Sequence, residues 1–382
     1  MSQVQVTQLN IPEGMIDLGV GQPAPGLLPL ELMRTATAHR IAQEDPLPWL
    51  AYGVEQGNGF FRDALARFLT RGYGLPVAAS DLFVTNGASQ GLAMICSLFT
   101  RPGDKVIVED PTYFLALRIF ADHGLEVVGV PMDDNGMLVD ALEEKLAEHR
   151  PALVYTIPTF HNPSSVTLSE ARRERLVELS VRHDFVIVAD EVYQLLSYRS
   201  APPPPLAAWA GADTVLSLGS FSKILAPGLR LGWIQAGARR IDRLVHNGLL
   251  DSGGGLSPFT SSMVQSAIEL GLQDQHLGDL RRAYLERATA LCAALREHLP
   301  STVGFDTPDG GFFLWLRLPE EIDARDLLPI ARKHDVAFQP GSTFSCTRGA
   351  RSHARLCFAY YSCEELTEGA IRLARALNSL RS

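Results

Sequence analysis

A chain of 382 residues that is 46% hydrophobic and 20% charged can bury more than one small core, which excludes a mainly disordered protein. Its 34 basic against 43 acidic residues leave a net charge of −9, the wrong sign for a nucleic-acid binder, so any anion must be met by local groups. Five scattered cysteines without a C-x-x-C pair, no signal-like start and no bilayer-length apolar run exclude a disulfide frame, a cysteine zinc site and a membrane span, leaving a cytoplasmic protein.

Residues 1–29 are punctuated by Gly and Pro around a short apolar strand, 15–18, that leads into Gly19-Val20-Gly21-Gln22-Pro23. Such a run suits either a turn closing on a ligand or an ordinary surface loop. Helices are predicted over 30–44 and 60–74, with Ala51-Tyr52-Gly53 irregular between them. From residue 81 short apolar strands (81–85, 105–109, 126–130, 152–157, 185–190, 214–218, 231–235) alternate with helices (89–100, 112–123, 168–183). This alternation predicts an α/β fold with a mainly parallel sheet sandwiched by helices. The proline run 201–206 reads as an exposed loop, and Ser252-Gly253-Gly254-Gly255 as a flexible turn, either a mobile loop over a site or a linker. Helices over 277–299, 324–334 and 364–380, with strands 312–317 and 356–359, make a small α+β domain.

In open sheets of this kind ligands gather beyond the carboxyl ends of the strands. After the first strand, Thr85-Asn86-Gly87 turns into a helix from Ala88, so the free N–H groups of Ala88, Ser89 and Gln90 would face an anion. The stretch 217–233 places Lys223 among Ser220, Ser222 and Arg230, an amine among donors matched to phosphate oxygens; taken alone it could be a basic surface turn. Asp190 ends the apolar run from Val186, and a buried carboxylate needs a partner: a protonated heterocyclic nitrogen, a helix N-terminus or a cation. Asn162 and Tyr193 add neutral hydrogen-bonders at neighbouring strand ends. A phosphate cradle, an amine, an acid, a phenol and an amide along one edge are the set that pyridoxal 5'-phosphate asks for.

These residues stand in motifs. They include Gly-Gln-Pro-Ala-Pro (21–25), Thr-Asn-Gly-Ala-Ser-Gln (85–90), His-Asn-Pro (161–163), Leu-Gly-Ser-Phe-Ser-Lys (218–223), Pro-Gly-Leu-Arg (227–230), Gly-Gly-Phe-Phe-Leu-Trp (310–315), Gln-Pro-Gly-Ser-Thr-Phe (339–344) and Arg-Leu-Cys-Phe (355–358). On them the chain resembles the fold-type I pyridoxal-phosphate-dependent aminotransferases of class I/II. More narrowly it is similar to the 2-aminoadipate aminotransferase group, whose catalytic domain is shared with MocR-type regulators.

The resemblance implies a large cofactor-binding domain (46–275), a small domain (1–45 and 276–382), and ping-pong transfer of an amino group from an L-amino acid to a 2-oxo acid, 2-oxoglutarate foremost. It implies that Lys223 bonds the cofactor aldehyde and shuttles the Cα proton, that Asp190 pairs with the ring nitrogen, and that Asn162 and Tyr193 bond the phenolate oxygen. Tyr113 would stack on the ring. Ala88, Ser89, Gln90, Ser220, Ser222 and Arg230 would hold the phosphate, joined by Tyr52 from the other subunit of a homodimer. Arg355 would grip the substrate α-carboxylate, with Gly21 against the substrate. The same groups would serve a pyridoxal-phosphate β-lyase or a related biosynthetic enzyme, while a non-catalytic sensor has no need of an intact Lys223. Phe312, Trp315 and the 253–255 loop are candidates for the side-chain pocket.

The chain departs from the family in two respects. Ser164-Ser165 stands where the family has Thr-Gly after Asn-Pro, which alters the turn beyond Asn162. The chain also begins too late for a winged-helix domain ahead of residue 15, or for the extra N-terminal segment of relatives that read acidic side chains, so neither DNA binding nor acidic specificity is expected.

Overall fold

The computed structural model describes residues 11–43, 45 and 47–380. Glu44, the expected end of the first helix, and the first ten residues of the expected small domain lie outside that description.

Short apolar strings become strands here because both faces of the sheet are covered. Every residue of Leu82–Thr85, Val186–Asp190 and Val215–Ser220 is buried, which is why these segments read as continuous apolar runs instead of alternating ones. In chain order the strands are β1 (Ile16–Asp17), β2 (Leu82–Thr85), β3 (Lys105–Asp110), β4 (Glu126–Asp133), β5 (Gly136–Met137), β6 (Pro151–Thr156) and β7 (Val186–Asp190). They continue with β8 (Val215–Ser220), β9 (Gly232–Ala236), β10 (Phe313–Arg317), β11 (Val336–Ala337), β12 (Gln339–Pro340) and β13 (His353–Cys357). Eight of them form one sheet in the order β2-β9-β8-β7-β6-β3-β4-β5. The links from β8 through β7, β6 and β3 to β4 are parallel, whereas β9 is antiparallel to both β2 and β8. Because β9 runs backwards, the residues just before it, Arg230 included, emerge at the same edge as the ends of β2, β7 and β8.

A second sheet, β10-β13-β12, is antiparallel, and β1 pairs in parallel with β11. The leading segment is thereby stitched to the last third of the chain: Cys357 N donates to Leu18 O (2.6 Å) and Ala24 N to Ala359 O (3.2 Å). The Leu30–Ile41 helix lies instead on the Pro258–Glu269 helix, where Arg40 donates to Ser262 O (3.1 Å) and pairs with Glu269 (3.2 Å). A single apolar core joins Leu18, Phe61, Phe221 and Trp233 to Tyr284, Phe312, Leu356 and Leu373, so the lysine-bearing turn and the C-terminal elements share one interior. Among the described residues no helix is long and apolar enough to cross a membrane.

Two expected loops differ. The proline run is largely half-buried: Arg173 Nη1 donates to Pro204 O and Gln194 Nε2 to Pro203 O, both at 3.0 Å. The glycines after Ser252 form neither a free flap nor a linker. Gly255 N donates to Gly53 O (2.8 Å), and a Cβ at Gly255 would lie 1.9 Å from Val54 O, so these glycines permit two backbones to touch. The helices Val139–Glu148, Ala238–Val245 and Pro258–Glu269 were not anticipated from the sequence pattern.

Candidate active site

The hydroxyl-rich turn after β8 places Lys223 over the Phe312 ring, with Nζ 5.3 Å from its centroid, and Nζ donates to Gly21 O (3.1 Å). Burial lowers the amine from its ordinary value to about 8, and the cationic Arg355 and Arg230 push the same way against Asp190.

At the end of β7, Asp190 is 8% exposed. The Tyr155 hydroxyl donates to its Oδ2 (2.7 Å), whereas its Oδ1 is buried and has no hydrogen-bond partner. Burial raises this carboxyl, against the opposing hydrogen bonds from Tyr155 and the Val192 backbone. Tyr113 is pushed up to about 12, by burial first and then by Asp190, so its phenol is neutral. Tyr193 is buried edge-on to Phe312 and Phe313, with centroids 5.4 and 5.9 Å away.

The turn between β2 and the Ala88–Phe99 helix is built on Gly87 at φ 88°. A Cβ there would lie 2.6 Å from Arg230 Nη2, so the glycine lets the guanidinium close on the helix start. Arg230, itself left-handed at φ 46°, donates to Asn86 O and Ser222 Oγ, both at 3.3 Å. Ser220 Oγ accepts from Ser222 N (3.1 Å), which leaves its proton free to donate. The N–H groups of Ala88, Ser89 and Gln90 belong to the first helical turn, where no helical carbonyl takes them. The Gln90 side chain turns back and its Oε1 accepts from Asn86 N (3.1 Å).

On β13, Arg355 is 5% exposed. Its Nη1 donates to Asn162 Oδ1 (2.9 Å) and its Nη2 to Gly19 O (2.8 Å), while the guanidinium lies 4.1 Å from the Phe313 centroid and 4.8 Å from that of Phe344. A Cβ at Gly21 would come within 3.6 Å of Arg355 Nη2, so the absence of a side chain keeps the approach to the guanidinium open.

The fold thus brings together Lys223, Asp190, Tyr193, Tyr113, Asn162, Arg355, Gly21, Ser220, Ser222, Arg230 and the Ala88 helix start. Tyr52 it does not bring in: the side chain is 89% exposed on the 51–54 segment. Sequence reasoning missed Tyr155 and the carbonyls of Gly19 and Gly21. Phe312 lies beneath Lys223, whereas Trp315 stacks on His353 (5.1 Å) and Gly254 and Gly255 pack against 53–54. Pyridoxal phosphate fits these residues. A protonated ring nitrogen would satisfy the orphaned Oδ1 of Asp190, a phosphate would meet the Arg230 cradle, and an aldehyde would meet an amine of lowered basicity. Among the described residues no cluster of His, Cys, Asp or Glu is placed to hold a metal.

Comparison with known proteins identifies the family. The family described as aminotransferase class I and II matches residues 13–373. The aromatic-amino-acid aminotransferase 1 of Thermococcus litoralis is 38% identical over 369 residues, covering 95% of this chain and 88% of its own. A 2-aminoadipate transaminase of Thermus thermophilus is 33% identical over 381 residues, covering 98% and 93%. The Pyrococcus horikoshii kynurenine aminotransferase, solved in complex with PMP, superposes with a TM-score of 0.90 at 34% identity, covering 97% of this chain and 92% of that one.

Proposed function

The chain belongs to the class I and II aminotransferases, and on that premise we propose that it passes the amino group of an L-amino acid to 2-oxoglutarate through the residues gathered at the sheet edge. Pyridoxal phosphate is the cofactor of this enzyme; when bound it supplies an aldehyde that takes up the amino group and a ring that accepts the electrons released at Cα.

In this reading Arg355 takes the substrate α-carboxylate in a bidentate pair beside Gly21, which points the Cα hydrogen toward Lys223. Lys223 Nζ, as free amine, is the base that would remove that proton and carry it within the site. Asp190, held by Tyr155, keeps the ring nitrogen protonated through Oδ1. Asn162 and Tyr193 would donate to the phenolate oxygen, and Tyr113 would lie against the ring. Ser220, Ser222, Arg230 and the N–H groups of Ala88, Ser89 and Gln90 hold the phosphate. The observation that carries the reading is an amine lowered to about 8 in the same site as a buried carboxylate oxygen with no partner.

We assign residues 46–275 to a large domain, and 1–45 with 276–382 to a small one; the β1–β11 pairing supports this for the leading segment, whereas the Leu30–Ile41 helix packs on the large-domain helix Pro258–Glu269. A homodimer completes the phosphate site with Tyr52 of the second copy; the 89% exposure of that side chain, near exposed Leu50, Val54 and Phe60, supports it. A cytoplasmic location goes with five free thiols. Aromatic donors are the first to try, given the name of the 38% identical relative and the Phe313 and Phe344 rings around Arg355.

The test is a spectral titration of purified, cofactor-loaded protein with a panel of L-amino acids, followed by 2-oxoglutarate. A shift of the cofactor band with a donor, reversed by the acceptor, is expected. Absence of a shift with every donor would refute the reading, as would pyruvate and ammonia released without an acceptor.

A further inference from the structure

The turn that presents Asn162 is closed by Ser165 N donating to His161 O (2.7 Å) and His161 N to Val166 O (2.9 Å). Its near side is anchored in the eight-stranded sheet. Ser164 N donates to His161 Nδ1 (3.3 Å), and the buried imidazole lies with Nε2 3.1 Å from Glu109 Oε2 at the end of β3. Ser165, on the far side, sits at φ 65°, in the left-handed region where a side chain is disfavoured. A residue kept there at a cost in strain calls for a compensating contact. Its Oγ donates to Phe313 O on β10 of the three-stranded sheet.

We propose that Ser165 is a positioning residue whose hydroxyl latches the Asn162 turn to the strand backing Arg355, and so fixes where the substrate carboxylate is met. The contacts form a closed circuit. Ser165 holds Phe313, the Phe313 ring lies 4.1 Å from the Arg355 guanidinium, and Arg355 donates to Asn162, three residues before Ser165. The Arg355–Asn162 bond competes with the substrate carboxylate for the same guanidinium, whereas the Ser165 bond does not, so the two sheets stay in register when Arg355 turns to its ligand. This role rests on Arg355 being the carboxylate-binding group proposed above.

Two substitutions separate latch from strain. Ser165→Ala deletes the hydroxyl and keeps the left-handed cost, while Ser165→Gly deletes both. The measurements are the dissociation constant of the loaded enzyme for the α-methyl derivative of the best donor, which binds but has no Cα proton to lose, and the melting temperature of the cofactor-free chain. Both variants are expected to weaken the ligand to a similar extent, about tenfold, as for one lost hydrogen bond, and to raise KM more than they lower kcat. Ser165→Gly is expected to melt above Ser165→Ala. The latch is overturned if ligand affinity is unchanged in both variants, or if it follows the melting order. Arg355→Gln is the control: loss of binding there with none at Ser165 overturns the latch alone, and retained binding there overturns the reading of Arg355 and the latch with it.

Discussion

Lys223 offers the most direct test of how this fold tunes chemistry. Its amine is lowered from 10.5 to about 8, by burial first. At pH 7 a group of pKa 8 is about one-tenth free amine, against about one in 3,000 for an unshifted lysine, a roughly 300-fold gain in nucleophile. Covalent capture of pyridoxal phosphate by the cofactor-free protein, followed by stopped-flow absorbance from pH 7 to 11, should therefore accelerate with pH up to an inflection near 8 and then level. Asp190 favours the ammonium and Arg355 the free amine, so Asp190→Asn should move the inflection down and Arg355→Gln should move it up. An inflection at or above 10 would refute the reasoning, as would both substitutions moving it the same way. The same shift has a stability counterpart. The folded chain binds its Lys223 proton less tightly than the unfolded chain, so the penalty is complete below about pH 8 and fades between there and 10.5. Lys223→Met should raise the melting temperature of the cofactor-free protein at pH 7 and lose that advantage by pH 10.5.

Tyr155→Phe removes the 2.7 Å donor to Asp190 and leaves a buried carboxylate short of a hydrogen bond, a loss of roughly 2 kcal/mol; equilibrium titration should show pyridoxal phosphate bound at least tenfold more weakly. Gly87→Ala drives a Cβ into Arg230 at a backbone angle that suits glycine. It should weaken pyridoxal phosphate strongly while leaving the affinity for pyridoxal, which lacks the phosphate, nearly unchanged; equal losses for both would refute the cradle. Tyr52→Ala removes an exposed side chain. It should leave the melting temperature of the cofactor-free protein within a degree or two and still lower cofactor affinity, with sedimentation giving a dimer in both proteins.

Much of the site was legible because strand ends carry it. Lys223, Asp190 and the Gly87 turn each follow a short apolar run, and residues of unusual chemistry at such points stand out from a sequence pattern. Tyr155 did not stand out, since within β6 it reads as one more core aromatic. Its function depends on register: Tyr155 lies opposite Val188 on β7, and only that alignment sends its hydroxyl to Asp190, two residues further on. The carbonyls of Gly19 and Gly21 were invisible for a plainer reason, because every residue has one and only the fold chooses which faces Arg355 or Lys223. The Pro258–Glu269 helix escaped because it follows directly on a glycine-rich turn, and its polar residues, Ser261, Ser262, Gln265 and Ser266, are buried instead of marking a solvent face.

The stitching of the leading segment to the far end of the chain bears on the order in which the enzyme is made. Synthesis delivers residues 16–24 first, but their partners, Val336, Ala337, Cys357 and Ala359, arrive more than three hundred residues later. The eight-stranded sheet can close around Lys223 and Asp190 while the chain is still growing. Gly19 and Gly21 can be set against Arg355 and Lys223 only after β11 and β13 have emerged. A nascent chain can thus own its amine and its acid before it has a means of gripping a carboxylate, and premature termination anywhere before Arg355 should yield a product without amino acid turnover.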